Sequence, residues 1–216
     1  MALILCYVTD RAAFPPPGTD ALLGMIRRAI AAGVDWMQIR EKNLSGRALA
    51  ALAREAVATA QGSSTRIVVN GRLDVAIAAR ADGVHLGGDA LPVAEVASWC
   101  AQHSADIASP FLLGASCHSL AEAQAAERDG AHHIFFGPVF STPAKIRYGP
   151  PQGISRLEEV CRAVRIPVLA IGGIALDNAQ ECLRAGAAGI AAIRLFQEST
   201  DVGKLVSGLR HALSSK

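Results

Sequence analysis

The sequence predicts an α/β fold: a single-domain (β/α)8 barrel of the TIM type spanning residues 1–216. Three observations predict it. Short apolar runs rich in β-branched residues alternate with longer Ala-rich amphipathic stretches from one end to the other, the pattern of a parallel sheet with helical crossovers. Eight such runs are present, the number that closes a barrel. A Gly recurs shortly before several of them, in "AGVDW", "ADGVH", "DGAHH" and "AGAAG", as a weak internal repeat that stops a helix before the next strand.

Taken in order, "LILCYVT" (3–9) is the first strand, and Leu22, Met25, Ile26, Ala29 and Ile30 give the first helix its apolar face. "VDWMQIR" (34–40) is the second strand, followed by a helix on Leu49, Leu52, Ala53 and Ala56. "RIVVN" (66–70) is the third. The Asn70-Gly71 pair that follows is a common hairpin signal, but Leu73, Ala76 and Ile77 keep helical spacing, so it is read as a strand-to-helix loop. "GVHLG" (83–87) and "FLLGAS" (111–116) are strands four and five, and Ser119 with Glu122 forms a capping box for the next helix. "HIFFGPVF" (133–140) is the sixth strand, and Ser155 with Glu158 again has capping-box spacing. "PVLAIGG" (167–173) and "GIAAIRLF" (189–196) complete the eight, and Val202, Leu205, Val206 and Leu209 mark the last helix. An open doubly wound sheet is the alternative. The absence of G-x-G-x-x-G after the first strand, the strand-plus-helix ending and the lack of a linker all disfavour it.

At 51% hydrophobic and 19% charged residues, the chain can bury a large core. A net charge of +2 with interleaved signs gives no nucleic-acid footprint, and a small-molecule partner is expected. The five cysteines are widely spaced with no Cys-x-x-Cys, and read as reduced thiols of a cytoplasmic protein. The N-terminal apolar run is too short for a membrane span and lacks a basic leader, so neither export nor membrane anchoring is expected.

In such a barrel the strand-to-helix loops form the C-terminal mouth, where active sites lie. Gln38, Arg40 and Lys42 share one face of the second strand, a polar-cationic triplet suited to phosphate; the competing reading is an early strand end with both cations in solvent. Gly172 and Gly173 after strand seven, with the backbone at the end of strand eight, match the fold's recurrent phosphate site; the alternative is a tight turn only. The connection 141–153 carries Lys145 and Arg147 and has the length of a functional lid, or is a solvated basic loop. Ser116 donates to a phosphate oxygen or caps a helix. Cys117 and His118 are adjacent, hence on opposite strand faces, which disfavours a nucleophile-base dyad. His132 and His133 fall early in strand six, away from the mouth.

Together, "QIREK", "NGRLDVA", "ADGVHLG", "GASCHS", "FFGPVFSTPAK", "IPVLAIGGI" and "AGAAGIAAI" resemble the thiamine phosphate synthase family and its TenI-type thiazole tautomerase relatives over essentially the whole chain. The resemblance implies a barrel mouth that binds a thiazole phosphate and, in synthases, a pyrimidine diphosphate with Mg²⁺. It assigns Gln38, Arg40, Lys42, Asn70, Ser116, Thr142 and Lys145 to the diphosphate or pyrimidine. It assigns Gly172 and Gly173, with the backbone at Ile193 and Arg194, to the thiazole phosphate.

The synthase pattern has metal-binding Asp residues where this chain has Gly71 and Ala90, and a Gln where it has Gly88; Asp89 is the remaining carboxylate candidate. Ala144 replaces a usual hydroxyl residue. Tautomerases resemble the chain at "NGR", but their acid-base histidine falls at Pro138, leaving His85 as the nearest candidate base, or a barrel filler.

Three readings follow. The TenI-like one is favoured because both metal-Asp positions are lost, and it requires no metal. The alternative is an active synthase that uses Mg²⁺. The third is a non-catalytic phosphate-ligand sensor. A homo-oligomer is compatible with all three.

Overall fold

The computed structural model describes residues 3–14, 17–142 and 150–214. Its eight strands are β1 (Ile4–Val8), β2 (Trp36–Ile39), β3 (Arg66–Asn70), β4 (Gly83–Leu86), β5 (Leu112–Cys117), β6 (His133–Phe136), β7 (Val168–Ile171) and β8 (Gly189–Ala192). All neighbours are parallel, and β8 pairs back onto β1, so the sheet closes in chain order. Around it run α1 (Thr19–Ala31), α2 (Gly46–Ala60), α3 (Leu73–Ala79), α4 (Val93–Gln102), α5 (Leu120–Arg128), α6 (Gly153–Ala163), α7 (Ala179–Arg184), the short α8 (Arg194–Gln197) and α9 (Val202–Ser214). Among the described residues no helix is long and apolar enough to cross a membrane.

Strand alternation divides the core in two. Leu5 and Tyr7 face outward into the large apolar layer beneath the helices, where Leu22, Met25, Ile26 and Ala29 of α1 are buried. Cys6, Val8, Phe135, Leu169 and Ala191 point inward and form a second, smaller cluster that fills the barrel.

At the bottom of the barrel one device recurs. The residue before a strand accepts, through its side chain, the N–H of the second residue of an adjacent strand: Asp35 from Leu5 (2.7 Å), Asp82 from Ile67 (2.7 Å) and, through Nδ1, His132 from Leu113 (3.1 Å). This places His132 at the bottom rim, as its early position in the sixth strand predicts. Arg210 of α9 reaches the same level and pairs with Asp35 at 3.0 Å, tying the last helix to the first strand.

Several local expectations are corrected. The sixth and eighth strands are shorter than their apolar runs: β6 stops at Phe136 before the cis Gly137-Pro138 peptide, and β8 stops at Ala192, after which Arg194–Gln197 is helical. Gly33, Gly130 and Gly186 take the left-handed conformation expected of helix stops, but Gly83 lies inside β4. There a Cβ would sit 2.2 Å from the Leu112 carbonyl oxygen, and Arg80 (φ 54°) ends α3 instead. Ser119 caps α5, accepting from Glu122 N–H at 3.2 Å. Ser155 does not cap α6, which starts at Gly153; Glu158 pairs with Arg162 one turn on.

Candidate active site

Gln38, the last inward-facing residue of β2, is 2% exposed, and its Nε2 donates to Asn70 Oδ1 at the end of β3 (2.7 Å). An amide pair, buried at Gln38 and half-buried at Asn70, therefore bridges two strands at the mouth, with no charge of its own. β2 ends at Ile39, so Arg40 and Lys42 lie beyond it. Arg40 nevertheless stays half-buried, near enough for its charge to act on His85. Lys42 is exposed. A cleft of about 150 Å³ beside it is lined by Glu41, Lys42, Leu44, Leu49, Asn70 and Arg72.

Asn70-Gly71 opens a loop, as helical spacing after it predicts: Gly71 has φ 69°, donates its N–H to the His85 carbonyl (2.7 Å), and α3 follows two residues later. Arg72 donates to both oxygens of Asp74 (2.8 and 2.6 Å), an exposed pair that holds the carboxyl below its ordinary range.

This matters for a divalent cation. Asn70 Oδ1 is engaged by Gln38, Gly71 offers no side chain, Asp74 is held by Arg72, and Asp89 is exposed in the loop after β4. Among the described residues no three His, Cys, Asp or Glu side chains converge. The donor set does not form the paired-carboxylate site that Mg²⁺ on a diphosphate ordinarily uses.

His85 is 1% exposed inside the barrel, with Nε2 2.9 Å from Ser116 Oγ; which atom donates depends on the imidazole tautomer. Its ring packs on Phe135 (4.1 Å between centroids) and lies 5.6 Å from His133, which packs on Trp36 (4.6 Å). Gly114 makes room for this cluster: a Cβ there would lie 2.2 Å from His133 Nε2 and 2.6 Å from His85 Nδ1. Burial, with the Arg40 charge adding, pushes the His85 pKa down to about 3, and burial also holds His133 well below its usual value. Burial thus holds the His85 ring neutral at pH 7, beside the Ser116 hydroxyl. Burial likewise raises the Cys117 thiol to about 12, and the neighbouring His118 ring is engaged by the Gly137 carbonyl, so the two form no dyad.

At the other side of the mouth β7 leads into Gly172 (φ 95°) and Gly173 (φ 67°). Both glycines are required by packing: a Cβ on Gly172 would lie 2.6 Å from Pro138 Cα, and one on Gly173 2.6 Å from the Ser141 carbonyl oxygen. Asn178 pins the turn, accepting from Ala175 N–H and donating to the Gly173 carbonyl. The neighbouring β8 ends beside it, with Ile193 at the start of α8 and Arg194 and Leu195 in its first turn, whose N–H groups have no carbonyl behind them in the helix. Thr142 is half-buried at the edge of this loop; Ala144, Lys145 and Arg147 lie outside the described residues.

One functional-looking cluster escaped sequence reasoning. Glu41 is 7% exposed and accepts from Thr9 Oγ1 (2.7 Å) and Arg11 N–H (3.0 and 3.2 Å), with burial raising its pKa. The signal was present in "QIREK": a carboxylate on the face opposite Gln38, Arg40 and Lys42 must be buried beneath the neighbouring loop.

Comparison with known proteins follows this geometry. The sequence pattern of a family described as thiamine monophosphate synthase matches residues 5–196. Relatives named thiamine-phosphate synthase include one from Methanoculleus marisnigri, 41% identical and covering 88% of this chain and 87% of its own. Another, from Roseiflexus castenholzii, is 38% identical, covering 88% and 79%. The solved structure of thiamine phosphate pyrophosphorylase from Pyrococcus furiosus superposes with a TM-score of 0.83 at 33% identity, covering 98% of this chain and 96% of that one. A 3-hexulose-6-phosphate synthase (TM-score 0.71, 16% identity, 98% and 100% covered) shares the barrel fold.

Proposed function

The chain belongs to the thiamine monophosphate synthase family, and from that premise we propose that it is a thiamine-phosphate synthase joining a pyrimidine diphosphate to a thiazole phosphate. The observation that carries this is the synthase name borne by relatives of about 40% identity over most of the chain; it supports the synthase reading above the TenI-like one favoured by the lost Asp positions.

The chemistry needs a leaving group held by positive charge. Half-buried Arg40 and exposed Lys42 supply guanidinium and ammonium donors for the diphosphate oxygens. The pyrimidine C–O bond breaks with its electron pair leaving on diphosphate. The thiazole nitrogen then gives its lone pair to the resulting methylene cation, forming the C–N bond of thiamine phosphate. The Gln38–Asn70 pair and Ser116, backed by neutral His85, offer hydrogen bonds to the pyrimidine without adding a charge that would oppose the cation. The loop at Gly172 and Gly173 and the backbone of Ile193 and Arg194 take the thiazole phosphate, while Thr142 edges the diphosphate; the resemblance alone assigns Lys145, outside the described residues, to the same group. Asp89 is the carboxylate candidate that the family pattern leaves for Mg²⁺ among the described residues, and no step above is routed through a metal.

Titration calorimetry of Arg40→Ala with inorganic pyrophosphate tests the assignment. Loss of this half-buried charged donor weakens binding by about tenfold or more, with thiazole phosphate affinity little changed. Unchanged pyrophosphate affinity would remove Arg40 from the site.

A further inference from the structure

We propose that Glu41 is a positioning residue that sets the spacing of the two anion subsites by clamping a single peptide group of the loop after β1. The inference rests on the two-subsite reading above. The Asp10–Arg11 peptide is held from both ends: its carbonyl accepts from Gln197 Nε2 at 2.8 Å, and its N–H donates to the Glu41 carboxylate at 3.0 and 3.2 Å. In a trans peptide these two groups point in opposite directions. The group therefore bridges whatever flanks β1, which in this barrel is β2 on one side and β8 on the other.

Each flank carries one subsite. On the β2 side, Glu41 stands between Arg40 and Lys42 in the chain, and Thr9 fastens that segment by accepting from Arg40 N–H (2.9 Å) while donating to Glu41 (2.7 Å). On the β8 side, Gln197 is the last residue of α8, whose first turn holds Arg194. Its bond to Asp10 is the one polar contact of its side chain among the described residues, since the buried Oε1 has no partner.

A carboxylate is needed because Thr9 Oγ1–H and Arg11 N–H both converge on it, with Arg11 Nε 3.8 Å away, in a place too buried for water to substitute. Spacing matters because C–N bond formation requires the reacting atoms to be held about 3–3.5 Å apart, and each substrate is anchored by its phosphate end.

The test is cross-site binding. Glu41→Gln keeps shape and removes one acceptor; Gln197→Met keeps length and removes the donor, at a residue separated from Glu41 by the Asp10–Arg11 peptide group. By calorimetry, Gln197→Met weakens inorganic pyrophosphate by about fivefold or more, Glu41→Gln weakens thiazole phosphate by a similar factor, and the double variant is no weaker than the worse single one. Effects confined to each variant's own side, or fold-changes that multiply in the double variant, would overturn the proposal. If Glu41→Gln does not fold, the effect of Gln197→Met on pyrophosphate decides alone. Wild-type protein that binds both ligands but forms no thiamine phosphate would remove the synthase reading and leave the clamp; wild-type protein that binds neither would remove both.

Discussion

His85 and Glu41 are buried ionisable groups whose desolvation acts in opposite directions on the pH scale. The His85 pKa falls from 6.5 to about 3, so below pH 6.5 the unfolded chain takes up a proton that the fold refuses; stability is fully retained above 6.5 and is lost as pH falls toward 3. His133 adds to this in the same sense. Glu41 has a raised pKa, so its ionisation costs stability as pH rises above 4.5 through its folded value. Between pH 7 and pH 5 the histidines give the prediction: the urea midpoint falls, and His85→Gln, which removes the titrating ring, reduces the slope. A midpoint as high at pH 5 as at pH 7 would show that the barrel admits imidazolium. At the same scale, Gly71 is the residue that separates this chain from the metal-binding pattern it resembles. Its left-handed φ costs an L side chain about 1–2 kcal/mol, but nothing lies within 4 Å of a Cβ there, so an Asp fits. Gly71→Asp with Ala90→Asp should raise Mg²⁺-dependent pyrophosphate binding in calorimetry; no gain would count against the alignment of these loops with the family's metal positions.

Among the elements, the turn after β7 combines a backbone requirement with a packing one. Gly173→Ala adds a Cβ 2.6 Å from a backbone oxygen at φ 67°, which should lower the melting temperature by about 4 °C or more and weaken thiazole phosphate binding. A stable variant with unchanged affinity would mean that the loops after β6 and β7 yield freely. Apolar periodicity located every strand and α1, α2, α3 and α9 because burial imposes it. It overran β6 and β8 because apolar residues continue past the strand ends into mouth loops that are themselves buried: Val139 is 1% exposed and Phe196 0%. Gly83 and Ser155 misled for a related reason. A Gly is also needed wherever a neighbouring strand approaches within a Cβ radius, and capping-box spacing recurs inside helices by chance. Glu41 and Gln197 were invisible as partners because 156 positions separate them (197 − 41) and they meet only through the loop after β1.

For the whole molecule, closure of β8 on β1 brings the cationic segment after β2 and the turns after β7 and β8 around one opening. The family and the barrel were legible in short motifs and in the alternation of apolar runs with amphipathic stretches, and the polar residues at the strand ends stood out because barrel interiors are otherwise apolar. The choice between synthase and tautomerase was not, because it turns on substitutions at Gly71, Ala90 and Pro138 whose consequences depend on loop geometry. The measurement that reaches the central claim is thiamine phosphate formation by the purified protein supplied with the pyrimidine diphosphate, the thiazole phosphate and Mg²⁺, with a chelator arm in parallel. The account predicts thiamine phosphate and released diphosphate in stoichiometric amounts, with Arg40→Ala severely impaired. No thiamine phosphate from protein that still binds the thiazole phosphate would contradict it.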